Sequence, residues 1–213
     1  MSTIKADAIT ASTGTNTNIA VTGKGSGKVA IGDGTLLFPD ADGAAGTAIV
    51  TNGSGTLSFA ATGKVVQLVK TEDRTSHTMT TVTPKDNTIP TTSEGHLWVE
   101  LDTAITPTNA SNILRIEVEA FLANSAAVNV VMSLFQDSGT NAISAMADRC
   151  AAANQQMMTS FVYYMVAGTT SATTFHIYMG PESTGTLTIN GHSGGRMFGG
   201  VALSSMTITE ISV

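Results

Sequence analysis

The chain has 213 residues, enough for one large domain or for a domain of about 150 residues with a smaller appendage. Only 12% of residues are charged, about half the roughly 25% of an average soluble domain, and Thr, Ser, Gly, Asn and Ala make up the difference. A net charge of −6 with ten scattered Lys and Arg excludes nucleic acid as an expected partner, a mean hydropathy of +0.17 argues against disorder, and no stretch approaches the roughly 20 apolar residues of a membrane span.

A surface so poor in charge would be badly solvated if left bare, so an oligomer is expected. The single cysteine, Cys150, excludes an intrachain disulfide and reads as a small buried core residue. The opening Met1-Ser2-Thr3-Ile4-Lys5 lacks a basic stretch followed by an apolar run, so no signal peptide is expected.

From Met1 to about Thr62 the apolar residues form short alternating runs bounded by glycine: Ile19-Ala20-Val21, Val29-Ala30-Ile31, Ile49-Val50 and Leu57-Ser58-Phe59. Each run is too short to build a core alone. Three copies wound about one axis would share a narrow one, which predicts a homotrimeric, intertwined β-shaft.

From Gly63 the runs lengthen, beginning with Val65-Val66-Gln67-Leu68-Val69 and His96-Leu97-Trp98-Val99-Glu100-Leu101. In Leu114 to Ala120 apolar and charged residues alternate strictly, as in a strand with one buried and one wet face. Val128 to Phe135 and Phe161 to Val166 are apolar at nearly every position, predicting one face on the core and the other on a neighbouring subunit. Asn141 to Gln156, rich in Ala and Met, is the one window with helical character and is expected to be a short helix or an irregular crossover. Further strands are expected at Thr174 to Met179, Thr186 to Ile189 and Met206 to Ile211. About eight or nine strands without alternating helices predict an all-β chain, with a slender N-terminal segment (residues 1–62) and a C-terminal antiparallel jelly-roll sandwich (residues 63–213).

Tests for chemistry return little. Gly23-Lys24-Gly25-Ser26-Gly27-Lys28-Val29 has one residue too few between its glycines for a phosphate loop and ends in Val rather than Ser or Thr. His77, His96, His176 and His192 form no ligand pair, so neither a cofactor nor a metal is expected within a protomer; His176, between Phe175 and Ile177, would be the candidate to gather around a three-fold axis. Ser193 in Gly191-His192-Ser193-Gly194-Gly195 lacks the nucleophile-elbow pattern. Glu117 and Glu119 share one face of a strand, and with Asp102 or Glu182 they are the acids a glycan depolymerase would need. Trp98 alternates with His96 and Glu100 and is assigned, with Tyr163, His176 and Tyr178, to trimer-interface or glycan contacts. The methionines concentrated in the C-terminal half fill gaps in core and interfaces.

The segments Gly34-Thr35-Leu36-Leu37-Phe38-Pro39-Asp40-Ala41-Asp42-Gly43 and Thr51-Asn52-Gly53-Ser54-Gly55-Thr56-Leu57-Ser58-Phe59 resemble the N-terminal region of tail-fibre-like and virion structural proteins of aquatic bacteriophages. That resemblance covers roughly the first 60 residues. It implies a virion-surface protein: a short attachment segment, a slender shaft and an outward-facing head, often jelly-roll and trimeric. The partners it implies are other virion proteins of capsid, neck or tail, met near the N-terminus, and a host-surface glycan met by the head. It carries over no receptor-binding residue. The expectation is therefore a non-enzymatic fibre or spike, with a capsid decoration protein, a depolymerase and a bare carbohydrate-binding module as the competing readings.

Overall fold

The computed structural model describes residues 30–31, 36–37, 47–51, 53–54, 56–60 and 65–213. The chain divides into two compact units, Met1–Thr62 and Gly63–Val213. In the first, β1 (Ala30–Ile31) pairs antiparallel with β2 (Leu36–Leu37), and β3 (Ala48–Thr51) with β4 (Leu57–Ala60). The apolar runs at Ile49-Val50 and Leu57-Ser58-Phe59 are therefore strands. The run expected at Ile19 to Val21, the Gly23 to Val29 segment, and most of the expected shaft lie outside the described residues.

The second unit holds β5 (Val65–Asp73), β6 (His77–Met79), β7 (His96–Leu97), β8 (Thr103–Ile105), β9 (Ile113–Asn124) and β10 (Asn129–Gln136). It continues with β11 (Ser144–Arg149), β12 (Gln156–Val166), β13 (Thr173–Pro181), β14 (Leu187–Ile189), β15 (Gly191–His192), β16 (Gly195–Arg196) and β17 (Ser204–Ile211). Short 3-10 turns lie at Val99–Leu101 and Phe198–Gly200. All pairings are antiparallel. One large sheet runs β12, β9, then β17 end to end with β14, then β5 end to end with β6. The other runs β11, β10, β13, with β7 and β8 sharing the far edge. In chain order β5, β8, β9, β10, β11, β12, β13 and β17 thus visit the sheets as first, second, first, second, second, first, second, first, which is the jelly-roll order.

The core lies between the sheets. Leu114, Ile116, Val118, Ala120 and Leu122 of β9 face Met132 and Leu134 of β10 and Phe175, Ile177 and Met179 of β13, with Met206 and Ile208 of β17 beside them. The alternation seen in Leu114 to Ala120 is the inward phase of β9, while Arg115, Glu117 and Glu119 point out. Cys150 is fully buried. One acid follows the inward phase: Glu210, in step with Met206 and Ile208, is fully buried. Its Oε1 accepts bonds from Asn112 Nδ2 (2.6 Å), Thr108 Oγ1 (2.8 Å) and the amides of Thr108 (2.8 Å) and Asn109 (3.3 Å), and its Oε2 accepts one from Gln67 Nε2 (2.6 Å). Burial opposes the charge, but these donors win and hold the carboxyl at about 2. The acid is a strap joining β17, β5 and the 106–112 loop.

Three expectations are corrected. Residues 141–156 contain no helix; Ser144–Arg149 is β11, on the open edge of β10. The ladder to β10 outweighs the weak helical preference of the alanines. Ala145 and Ala147 are exposed and line a cavity of about 200 Å³ with the Pro84 to Pro90 loop.

The outward face of β10 is also buried, but by this chain rather than by a neighbouring subunit. The 80–95 loop is fastened over it by Thr83 N to Pro181 O (3.0 Å), Gly95 N to Val82 O (3.0 Å), Thr92 N to Thr140 O (3.0 Å) and Ala142 N to Pro90 O (2.9 Å). A Cβ at Gly180 would fall 2.0 Å from the carbonyl oxygen of Thr81, so only glycine admits the loop there.

Trp98 does not lie on the polar face of a strand. β7 ends at Leu97 and the chain turns into the 3-10 segment, which breaks the alternation and swings the indole into the core. Trp98 is fully buried there, its Nε1 donating to Asp73 Oδ2 at 2.9 Å.

Candidate functional site

The outward face of the β12-β9-β17-β5 sheet is the least expected surface of the second unit. Along β12, Met157, Phe161, Tyr163 and Met165 turn inward and lean on the core, while Met158, Val162, Tyr164 and Val166 point to solvent at 60, 43, 58 and 55% exposure. Across the sheet, Val65 and Leu68 of β5 are also exposed. Between them lie Thr207 and Thr209 of β17 and one ion pair, Arg115 Nη1 to Glu117 Oε2 at 2.6 Å, with Arg115 Nε donating to Tyr164 Oη at 3.2 Å. The guanidinium beside it lowers the Glu117 carboxyl below its ordinary value.

β12 is an edge strand: among the described residues it pairs with β9 alone. Over its eleven residues it carries no charge and no proline. Proteins normally blunt such edges with lysine, proline or a bulge, because a long apolar edge offers its unpaired backbone to any other chain.

The four side chains assigned to contacts do not share a surface. Trp98 is a core residue, with nothing to offer a subunit or a glycan. Tyr163 is on the inward phase of β12, and Tyr164 takes the outward position instead. His176 and Tyr178 lie on the outward face of the other sheet, half-buried. The Tyr178 ring meets Phe135 at 4.8 Å between centroids, tilted 60°, and His176 Nδ1 lies 2.8 Å from Asp102 Oδ1.

The acids weighed for hydrolysis are likewise dispersed. Glu117 is held by Arg115 on the first sheet, and Asp102 sits against His176 on the second. Glu182 accepts from Asn129 N (3.0 Å) and Nδ2 (2.7 Å), which lowers its pKa. No group of three metal-ligating side chains occurs among the described residues. Ser193 and His192 are neighbours in the β15–β16 hairpin, with Ser193 Oγ 3.4 Å from His192 Nε2, and Ser193 and Gly194 both take positive φ as a tight two-residue turn requires.

A further cluster escaped notice in the sequence. Arg74, Thr75 and Ser76, in the loop between β5 and β6, line an open cleft of about 520 Å³ together with Arg196 of β16 and Gly199 and Gly200 of the second 3-10 turn. The two arginines lie far apart in the chain, with no shared motif. The one local signal was that Arg196 directly follows Gly191-His192-Ser193-Gly194-Gly195, a stretch weighed only for a nucleophile.

No family model matches the chain, and no curated protein matches it. Among solved structures, likenesses occur at low TM-scores. The chain is similar to Eiger TNF from S. frugiperda, with a TM-score of 0.39 and 8% identity over 69% of this chain and 93% of that one. It is also similar to the VP2 subviral particle protein of infectious bursal disease virus (TM-score 0.33, 11% identity, 77% of this chain and 45% of that one). A third likeness is to the enzymatically active domain of tailspike protein 4 of bacteriophage CBA120 (TM-score 0.27, 9% identity, 60% of this chain and 19% of that one). The chain thus spans less than half the length of the two viral proteins.

Proposed function

We propose that this chain is a non-catalytic structural subunit of a bacteriophage particle, a homotrimer on the virion surface. In this reading residues 1–62 attach to other virion proteins and the head, residues 63–213, contacts the host surface. The observation that carries it is the outward face of β12: an eleven-residue edge strand without a charge, presenting Met158, Val162, Tyr164 and Val166 to solvent. Such an edge favours pairing with another chain, and in a protein with 12% charged residues a further copy is the cover always at hand. The likeness of Gly34 to Gly43 and Thr51 to Phe59 to tail-fibre-like N-termini supports the virion.

Light scattering on the purified protein tests the assembly. A mass near three times 21.8 kDa agrees with the proposal, and a single protomer at micromolar concentration refutes it. Counting copies on purified particles separates a fibre, present in few copies, from a decoration protein, present in numbers comparable to the shell protein.

A further inference from the structure

The outward face of the β12-β9-β17-β5 sheet is not uniform along its strands. Its ladders set the side chains in rows that cross all four strands. The outermost row is Val166, Ile113, Ile211 and Val65, a shift of register at Val66 bringing Val65 opposite Ile211. None of the four is charged, and Val166 and Val65, at the two ends, are 55 and 59% exposed. The next row is Tyr164, Arg115, Thr209 and Leu68, and its one charge is already met by Glu117 and by the Tyr164 hydroxyl of the same chain. The row after that carries Glu117 and Lys70, and the following one Glu119 and Glu72. Charge thus rises with distance from Val65.

That gradient bears on how copies of the chain meet. The chain comes from residues 1–62 through Gly63 and Lys64, and β5 begins at Val65, so the apolar row lies where the N-terminal segment joins the second unit. Three such segments sharing one attachment point bring three copies of this row together. Side chains near a rotation axis meet their own copies, so charged rows repel one another there and an uncharged row does not. A closed three-fold assembly also joins two different patches rather than one patch to itself. The apolar row supplies both: Val166 and Tyr164 at the β12 edge, and Val65 and Leu68 at the β5 edge, about 14 Å away across three strand spacings. We infer that the β12 end of this row packs against the β5 end of the same row in a second copy of the chain, and so on around the three-fold axis. The inference deepens the proposed homotrimer and rests on it, naming the residues through which the copies meet.

The test is mild oxidation, with copper phenanthroline, of the full-length protein carrying both Val65→Cys and Val166→Cys. The two thiols cannot join within one chain, because a disulfide needs Cα atoms within about 7 Å. Either cysteine alone links two copies at most, so a covalent trimer on a non-reducing gel is the signature of one end meeting the other. It should exceed at least tenfold the amount from Glu72→Cys with Ser160→Cys, an exposed pair on the same two strands three rows, about 20 Å, farther along. The unaltered chain, whose Cys150 is fully buried, should give none. Val65 and Val166 are exposed, so their replacement keeps the fold, which circular dichroism verifies. Light scattering on the same samples separates the two ideas. A trimer in solution that yields no covalent trimer, or yields as much from the control pair, overturns the inference and leaves the assembly standing. A dimer in solution, linked efficiently by Val166→Cys alone, overturns both. So does a single protomer in which the thiol at position 166 resists maleimide, since residues 1–62 would then be what covers the row.

Discussion

Replacing Glu210 by Gln removes one charge while leaving the shape of the strap almost unchanged. Four donors converge on Oε1 and a fifth, Gln67 Nε2, on Oε2, so a neutral amide must turn an N–H toward a donor on one side or the other. Gln67 cannot simply flip to accept, because its Nε2 also donates to Thr106 O at 2.7 Å. The folded carboxyl near 2, against an ordinary 4.5, corresponds to at most about 3 kcal/mol. Thr108 and Asn109 are exposed, so water screens part of this, leaving about 1–2 kcal/mol for Glu210→Gln at pH 7. A depressed carboxyl stabilises the fold above its unfolded value and ceases to do so as pH falls through the folded one. The gap between the two proteins should therefore be full above pH 5 and close between about pH 4.5 and 2. Urea unfolding at pH 7, 4 and 2.5, at one fixed protomer concentration, measures it. Equal stability at pH 7 to within about 0.5 kcal/mol, or a gap that stays constant to pH 2.5, would refute the strap.

The double change Tyr164→Glu with Val166→Glu places like charges at neighbouring outward positions of β12. Under the proposed trimer it should give protomers in sedimentation where the unaltered chain gives trimers, while the circular dichroism of the strands persists. Trp98→Phe removes the indole N–H from the buried Asp73 and should cost about 1–3 kcal/mol in urea unfolding. In the unaltered chain this sole tryptophan should emit at short wavelength and resist acrylamide until the second unit unfolds. Gly180→Ala puts a methyl against the carbonyl of Thr81 and should lift the 80–95 loop, seen as new protease cleavage there and a loss of about 1–3 kcal/mol.

Much of the architecture was legible because strands write their period directly into the chain. Leu114 to Ala120 alternated, and β9 presents those residues as written. Turn-rich boundaries and the absence of alternating helices led to the jelly-roll. Where every position is apolar, period 2 carries no phase, so Tyr163 is the ring assigned to interface or glycan contacts although Tyr164 is the exposed one. Only the ladder to β9, which pairs Tyr163 with Ile116 and Tyr164 with Arg115, decides between them. Ala145 and Ala147 favoured a helix locally, and the free edge of β10 reclaimed them as a strand. Glu210, by contrast, could have been read from its place in step with Met206 and Ile208.

The chain by itself thus determined the secondary structure class, the two-unit division of its composition and the scarcity of charge. Those depend on neighbours a few residues away, whose spacing the backbone reports faithfully. Only the tertiary structure decided which face of β12 is bare, that the 80–95 loop covers β10, and that Arg74 and Arg196 meet across one cleft. Each of these joins residues distant in the chain, and folding brings them together through register and loop closure, neither of which leaves a periodic trace in the sequence.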